Sequence, residues 1–203
     1  MRILQIKSSV FGGNGQSSRL ADEFVARLRD QGVATEVLER DLVADPIPHL
    51  DGARVAAFFS KPEERSDEQK AAVAYSDALI AELRRADVLV LGLPMYNFGV
   101  PSQLKAWFDQ LARAGETFKY TDKGSVGLLT GKKAYVFAAR GGVYPDGHSQ
   151  IAYVREFLAF VGITEVEVVY AGGLALGDDS RNNSVLAAQA AVRRLAGEFR
   201  LAA

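Results

Sequence analysis

Five short apolar runs alternate along the chain with segments of helical period. The runs are Ile3-Leu4-Gln5-Ile6, Ala34 to Leu38, Val88 to Leu93, Ala134 to Ala139 and Thr164 to Tyr170. Uninterrupted apolar runs suit strands covered on both faces, whereas alternation suits a strand with one face nearer water. The third and fourth runs are therefore predicted to be central, and the fifth, which begins Glu165-Val166-Glu167-Val168, to lie toward an edge. Between the runs, apolar side chains recur at helical spacing. Leu20, Phe24, Val25 and Leu28 form one stripe, Val73, Leu79, Ile80 and Leu83 a second, and Leu104, Trp107, Phe108 and Leu111 a third. Ile151, Val154, Leu158 and Val161 form a fourth, and Val185, Ala188, Val192, Leu195 and Phe199 a fifth. Ser66 followed by Gln69 is a capping-box pattern that opens the second of these helices. Repeated strand–helix alternation predicts βαβ crossovers and a doubly wound α/β architecture. Its five-stranded parallel sheet has order 2-1-3-4-5 and helices on both faces.

Three stretches fall outside that minimal plan. Residues 42–65 join the second strand to its helix, residues 114–132 read as a hairpin-like excursion, and residues 172–182 are a polar, Gly-rich turn. No internal repeat or linker divides the 203 residues, so a single domain spanning 1–203 is expected. Lys and Arg number 24 against 25 Asp and Glu, and the net charge of −1 carries no electrostatic footprint for nucleic acid or an anionic membrane. Cysteine is absent, which removes disulfides, thiolate metal sites and a thiol nucleophile. His49 and His148 lie far apart, so no metal site is expected. The first apolar stretch ends at Lys7, too short for a signal-peptide core, and no run approaches the roughly 20 residues of a membrane span. A soluble, cytoplasmic protein is the expectation.

In open α/β sheets the ligand sits beyond the carboxyl ends of the strands, where strand order reverses. Three loops would meet there. The first, Ser8 to Ser18, places hydroxyls around Gly12, Gly13 and Gly15 and leads straight into a helix. Free amides at a helix N-terminus bind anions, and serine hydroxyls add donors. The loop lacks the Gly-Lys-Ser/Thr ending of nucleoside triphosphatases and the third glycine of the dinucleotide fingerprint, which leaves a terminal monophosphate held by neutral donors. Taken alone it is equally a flexible connection with Ser17 or Ser18 as an ordinary N-cap. The second loop, Leu93-Pro94-Met95-Tyr96-Asn97-Phe98-Gly99-Val100-Pro101, offers aromatic rings and an amide suited to a flat conjugated ligand. The third, Ala139-Arg140-Gly141-Gly142-Val143-Tyr144, lets backbone amides approach a carbonyl edge. A phosphate cradle, a flat-ring platform and an amide rim on one edge describe a site for flavin mononucleotide (FMN). No acidic cluster follows the first strand, which argues against a phospho-acceptor domain.

The same residues resemble a family. Lys7-Ser8-Ser9, Gln16-Ser17, Pro94-Met95-Tyr96-Asn97-Phe98, Ala112-Arg113-Ala114-Gly115, Thr117-Phe118-Lys119-Tyr120-Thr121 and Arg140-Gly141-Gly142 look like the FMN-dependent NADH-azoreductases, as do Asp45-Pro46-Ile47-Pro48 and Phe160-Val161-Gly162-Ile163-Thr164. The resemblance implies a flavodoxin-like homodimer that reduces azo compounds and quinones with NADH or NADPH. It assigns Ser9, Gly15, Gln16 and Ser17 to the phosphate and Met95, Tyr96, Asn97 and Phe98 to the isoalloxazine. Ala139, Arg140, Gly141 and Gly142 would hold its pyrimidine edge. Tyr120 and Phe160 match aromatics lining a substrate pocket shared between subunits. Gly15 and Ala139 stand where the family frequently has serine, and Tyr144 where histidine is expected. Flavin would supply the hydride chemistry, so no charged catalytic dyad is required. With donor and acceptor stacking in turn on one face, a ping-pong sequence follows. An electron-carrying flavodoxin without its own acceptor is the alternative; the near-neutral charge and the extra segments 42–65 and 114–132 count against it.

Overall fold

The computed structural model describes residues 1–201. Strands β1 (Arg2–Lys7), β2 (Glu36–Asp41), β3 (Val88–Pro94), β6 (Lys133–Ala139) and β7 (Glu165–Ala171) form one sheet. Their order is β2-β1-β3-β6-β7, and every adjacent pair is parallel. The numbering departs from 2-1-3-4-5 because residues 114–132 contribute two strands of their own. These are β4 (Phe118–Thr121) and β5 (Gly124–Gly127), paired antiparallel as a separate hairpin. Burial follows strand position. Every residue of β3 is buried and β6 is buried beyond Lys133, whereas β2 is largely open to solvent and β7 alternates before burying its end.

Helices cover both faces. One face carries α3 (Asp67–Arg85), α4 (Ser102–Leu111) and α5 (Ser149–Val161), with Leu83, Trp107, Phe108 and Leu158 in its core; the other carries α1 (Gln16–Asp30) and α6 (Asp178–Leu201), with Phe24, Val192 and Leu195. Ser66 caps α3 with the full reciprocal capping box. The segment 42–65 contains a further helix, α2 (Gly52–Phe59), that periodicity alone does not show. Eight residues with one buried position, Ala57, carry too short a stripe; the Asp51 side chain starts the helix by accepting from the Arg54 amide.

Long-range polar contacts fasten the extra segments to this frame. The buried Arg113 guanidinium donates to Ser76 (2.9 Å) and Asp77 (3.1 Å) on α3 and lies 4.6 Å from the centre of the Phe58 ring. Gln110 donates to the Pro48 carbonyl. The hairpin rests on the end of α5, where Gly127 approaches Gly162 so closely that an added Cβ would overlap its backbone.

Candidate functional site

Strand order reverses between β1 and β3, so the crevice beyond their carboxyl ends is bordered by the segments that follow β1, β3 and β6. The first two are tied together through Tyr96. Its hydroxyl meets Ser9 Oγ at 3.3 Å and accepts from the Val10 amide at 3.2 Å, while Ser8 Oγ donates to the Gly92 carbonyl. The chain then tightens through the 3-10 turn Gly12–Asn14 and enters α1 at Gln16.

The start of α1 holds the most informative atoms of the molecule. Its N-cap is Gly15, which has no side chain to offer, so neither Ser17 nor Ser18 is the cap. Both serines are fully buried, and neither Oγ has a hydrogen-bond partner among the described residues. A buried hydroxyl left unsatisfied costs about 1–3 kcal/mol, so two of them at a helix N-terminus fit an acceptor-rich ligand. No basic side chain is needed there. The ammonium of Lys7 is already held by Asp22 (2.8 Å) and Glu39 (2.9 Å). Burial alone would push its pKa down, but those two carboxylates hold it above the usual lysine value.

After β3 the chain makes a two-residue reversal. Tyr96 and Gly99 exchange backbone hydrogen bonds, and Asn97 (φ 48°) and Phe98 (φ 66°) both occupy the left-handed region. Phe98 is not a residue that adopts this conformation cheaply, and it is 65% exposed. The turn is supported from below. Gln150, buried at the start of α5, donates through Nε2 to the carbonyls of Pro94 (2.8 Å), at the end of β3, and Gly99 (3.3 Å), at the far end of the reversal.

After β6, the Arg140 amide continues the sheet by donating to Ala171, so it is not free for a ligand. The Gly141 and Gly142 carbonyls accept from Ala175 and Gly173, while their own amides have no acceptor among the described residues. The Arg140 side chain turns inward, its Nε donating to Gln150 Oε1 at 3.2 Å. Tyr144 packs edge-on against Phe98 and joins this loop to the previous one. A hollow of about 440 Å³ adjoins it, bordered by Phe98, Lys105, Gln150 and Tyr153.

The structure thus brings Ser9, Gly15, Gln16, Ser17, Met95 to Phe98 and Ala139 to Gly142 to one edge of the sheet. It does not bring Tyr120 or Phe160 there within one chain. Phe160 lies ten residues after Gln150 on α5, about 15 Å along the helix, and Tyr120 is linked to it through the Phe118 ring. Sequence reasoning did not identify Gln150. Its signal was present: position 150 lies on the stripe of Val154, Leu158 and Val161, so a glutamine stands where the helix faces the core.

A family model described as the flavodoxin-like fold matches residues 1–196. An FMN-dependent NADH:quinone oxidoreductase of Cellvibrio japonicus is 54% identical over 177 residues, covering 86% of this chain and 89% of that protein. One of the same name from Alcanivorax borkumensis is 53% identical over 191 residues, covering 93% and 96%. Among solved structures, an azoreductase from Bacillus anthracis superposes with a TM-score of 0.90 at 29% identity, covering 98% of this chain and all of that one. An FMN-dependent NADH-azoreductase from the same organism, in complex with FMN, gives 0.84 at 27% identity, covering 96% and 99%.

Proposed function

The chain belongs to the flavodoxin-like fold family, and from that premise we propose that it is an FMN-dependent oxidoreductase that uses NADH or NADPH to reduce quinones and azo compounds. The observation that carries the reading is the pair of buried, partnerless hydroxyls of Ser17 and Ser18 at the start of α1. A terminal phosphate accepts hydrogen bonds and donates none when ionised, so it satisfies these hydroxyls and the free helix amides together. The quinone-oxidoreductase and azoreductase names of the relatives agree with that chemistry.

FMN, when bound, would supply hydride transfer between the nicotinamide and the acceptor. The protein's part is placement. Ser9, Gly15, Gln16 and Ser17 would hold the phosphate, joined by the Ser18 hydroxyl at the same helix start. Met95 to Phe98 form the wall against which the ring lies, with Asn97 facing its polar atoms, and the amides of Gly141 and Gly142 meet its carbonyl edge. The working unit is a homodimer in the cytoplasm, in which Tyr120 and Phe160 of one subunit line the acceptor pocket of the other. Exposed Phe59 and Tyr120, on the segments outside the minimal fold, supply the apolar surface for that contact.

Titration of the purified protein with FMN, FAD and riboflavin tests the reading. FMN is expected to bind tightest, and NADH to bleach the bound flavin without a partner protein. Riboflavin binding as tightly as FMN would overturn the cradle, and NADH without effect would overturn the oxidoreductase.

A further inference from the structure

Arg140 is 2% exposed, yet its charge is not neutralised. Its Nη2 is buried without a partner among the described residues, and its Nε bonds the neutral amide of Gln150. Among the described residues no carboxylate forms an ion pair with it. The acidic residue that acts on it is the exposed Asp146, from farther away. The guanidinium is instead flanked by aromatic faces, 4.8 Å from the centre of Tyr170 and 5.9 Å from that of Tyr144. Burial pushes its pKa down, but an arginine stays protonated at neutral pH. Isolated buried charges are costly, and proteins normally pair them.

Gln150 explains how the charge is kept uncompensated. Its carbonyl oxygen accepts from Arg140 while its amide nitrogen spans the Pro94 and Gly99 carbonyls. A carboxylate at 150 could take the first role but has no proton for the second. One neutral side chain therefore joins the loops after β3 and β6 and leaves the cation bare.

We infer that Arg140 is an electrostatic positioning residue whose uncompensated charge favours the reduced over the oxidised form of bound FMN. The inference rests on the FMN reading above. Hydride transfer from NADH adds two electrons and one proton to a flavin and releases NAD⁺, so the reduced ring gains one negative charge. Arg140 immediately precedes the Gly141-Gly142 rim and is tied through Gln150 to the carbonyls of Pro94 and Gly99, and a fixed cation so anchored stabilises that charge and leaves the neutral oxidised ring nearly unaffected.

The test compares the wild-type holoprotein with Gln150→Glu, Gln150→Leu and Arg140→Met. Oxidised-FMN affinity is measured by fluorescence quenching, and the midpoint potential by equilibration with a reference dye. Both Gln150 variants lose the donors to Pro94 and Gly99, and that loss weakens both oxidation states together. Only Gln150→Glu adds a counter-charge. The ratio of reduced to oxidised dissociation constants is expected to rise about tenfold in Gln150→Glu and Arg140→Met, a fall of about 30 mV for a two-electron couple, and to stay at the wild-type value in Gln150→Leu. Should Arg140→Met fail to fold, the two Gln150 variants decide. Wild-type potentials in Gln150→Glu would overturn the inference while leaving the FMN reading intact, whereas a wild-type protein that takes up no FMN would overturn that reading itself.

Discussion

At the scale of single residues, stability and ligand binding pull against each other at Ser17. Its buried hydroxyl has no partner among the described residues, so Ser17→Ala removes a desolvation cost that only a ligand repays. Without FMN, the variant is expected to match or exceed the wild type by up to about 1 kcal/mol in denaturant unfolding. Its FMN affinity is expected to fall by about 1.5–3 kcal/mol, roughly 10- to 150-fold, as a charge-assisted hydrogen bond is lost. A variant weaker in both respects would show that the hydroxyl is structural. Gly15 has a related explanation. A Cβ there would come closer than 3.0 Å to both Oγ and Cβ of Ser9, so the Ser9 hydroxyl and a side chain at 15 compete for one space. With that space left open by Gly15, Ser9 Oγ sits 3.3 Å from the Tyr96 hydroxyl.

At the scale of elements, the parts that set stability are separable from the site. The capping box of α3 lies on the segment outside the crevice, and Ser66→Ala is expected to cost about 1 kcal/mol of stability with FMN affinity unchanged. Tyr153 reports on the packing of α5 against α4, where its ring lies 5.9 Å from Phe108. Burial, with a smaller contribution from Asp109, pushes its hydroxyl up to about 12 from 10.0. Below pH 10 the folded and unfolded chains both keep this proton. Between pH 10 and 12 the unfolded chain releases it first, so stability falls as pH rises through that window. Tyr153→Phe lacks this contribution. Its stability is expected to decline less steeply above pH 10, by up to one proton per molecule in pH-dependent unfolding, and an unchanged slope would show that the hydroxyl reaches solvent.

At the scale of the whole molecule, one chain supplies the cradle, the turn and the amide rim, but not the aromatics at positions 120 and 160. Tyr120 is 76% exposed on β4, in a hairpin that lies at the far end of α5. If a second copy completes the pocket, light scattering is expected to show a dimer of 21.9 kDa subunits at micromolar concentration. Tyr120→Ala should then raise the KM for a quinone with little change in FMN retention. An active monomer would remove that role. If one open face serves donor and acceptor in turn, as proposed, initial rates are expected to give parallel double-reciprocal lines, and intersecting lines would require both to be bound together.

The sequence by itself determined the elements whose signal is local. Covered strands such as Val88 to Leu93, the stripe of Leu104, Trp107, Phe108 and Leu111, the Ser66 cap and the excursion at 114–132 all follow from local signals, because a strand covered on both faces is apolar throughout, a helix turns its apolar positions to one side, and caps and turns draw on a few residue types. The three loops could likewise be placed at one edge once the winding of the sheet was inferred. What only the tertiary structure decided is which polar atoms are left without partners. Ser17 is not the cap because α1 starts from Gly15, and only the packing around its hydroxyl leaves that donor unsatisfied; whether Arg140 is paired depends on Gln150, ten residues away in sequence and on another element. Satisfaction of a buried donor is settled by neighbours brought together in three dimensions, and no periodicity along the chain encodes it.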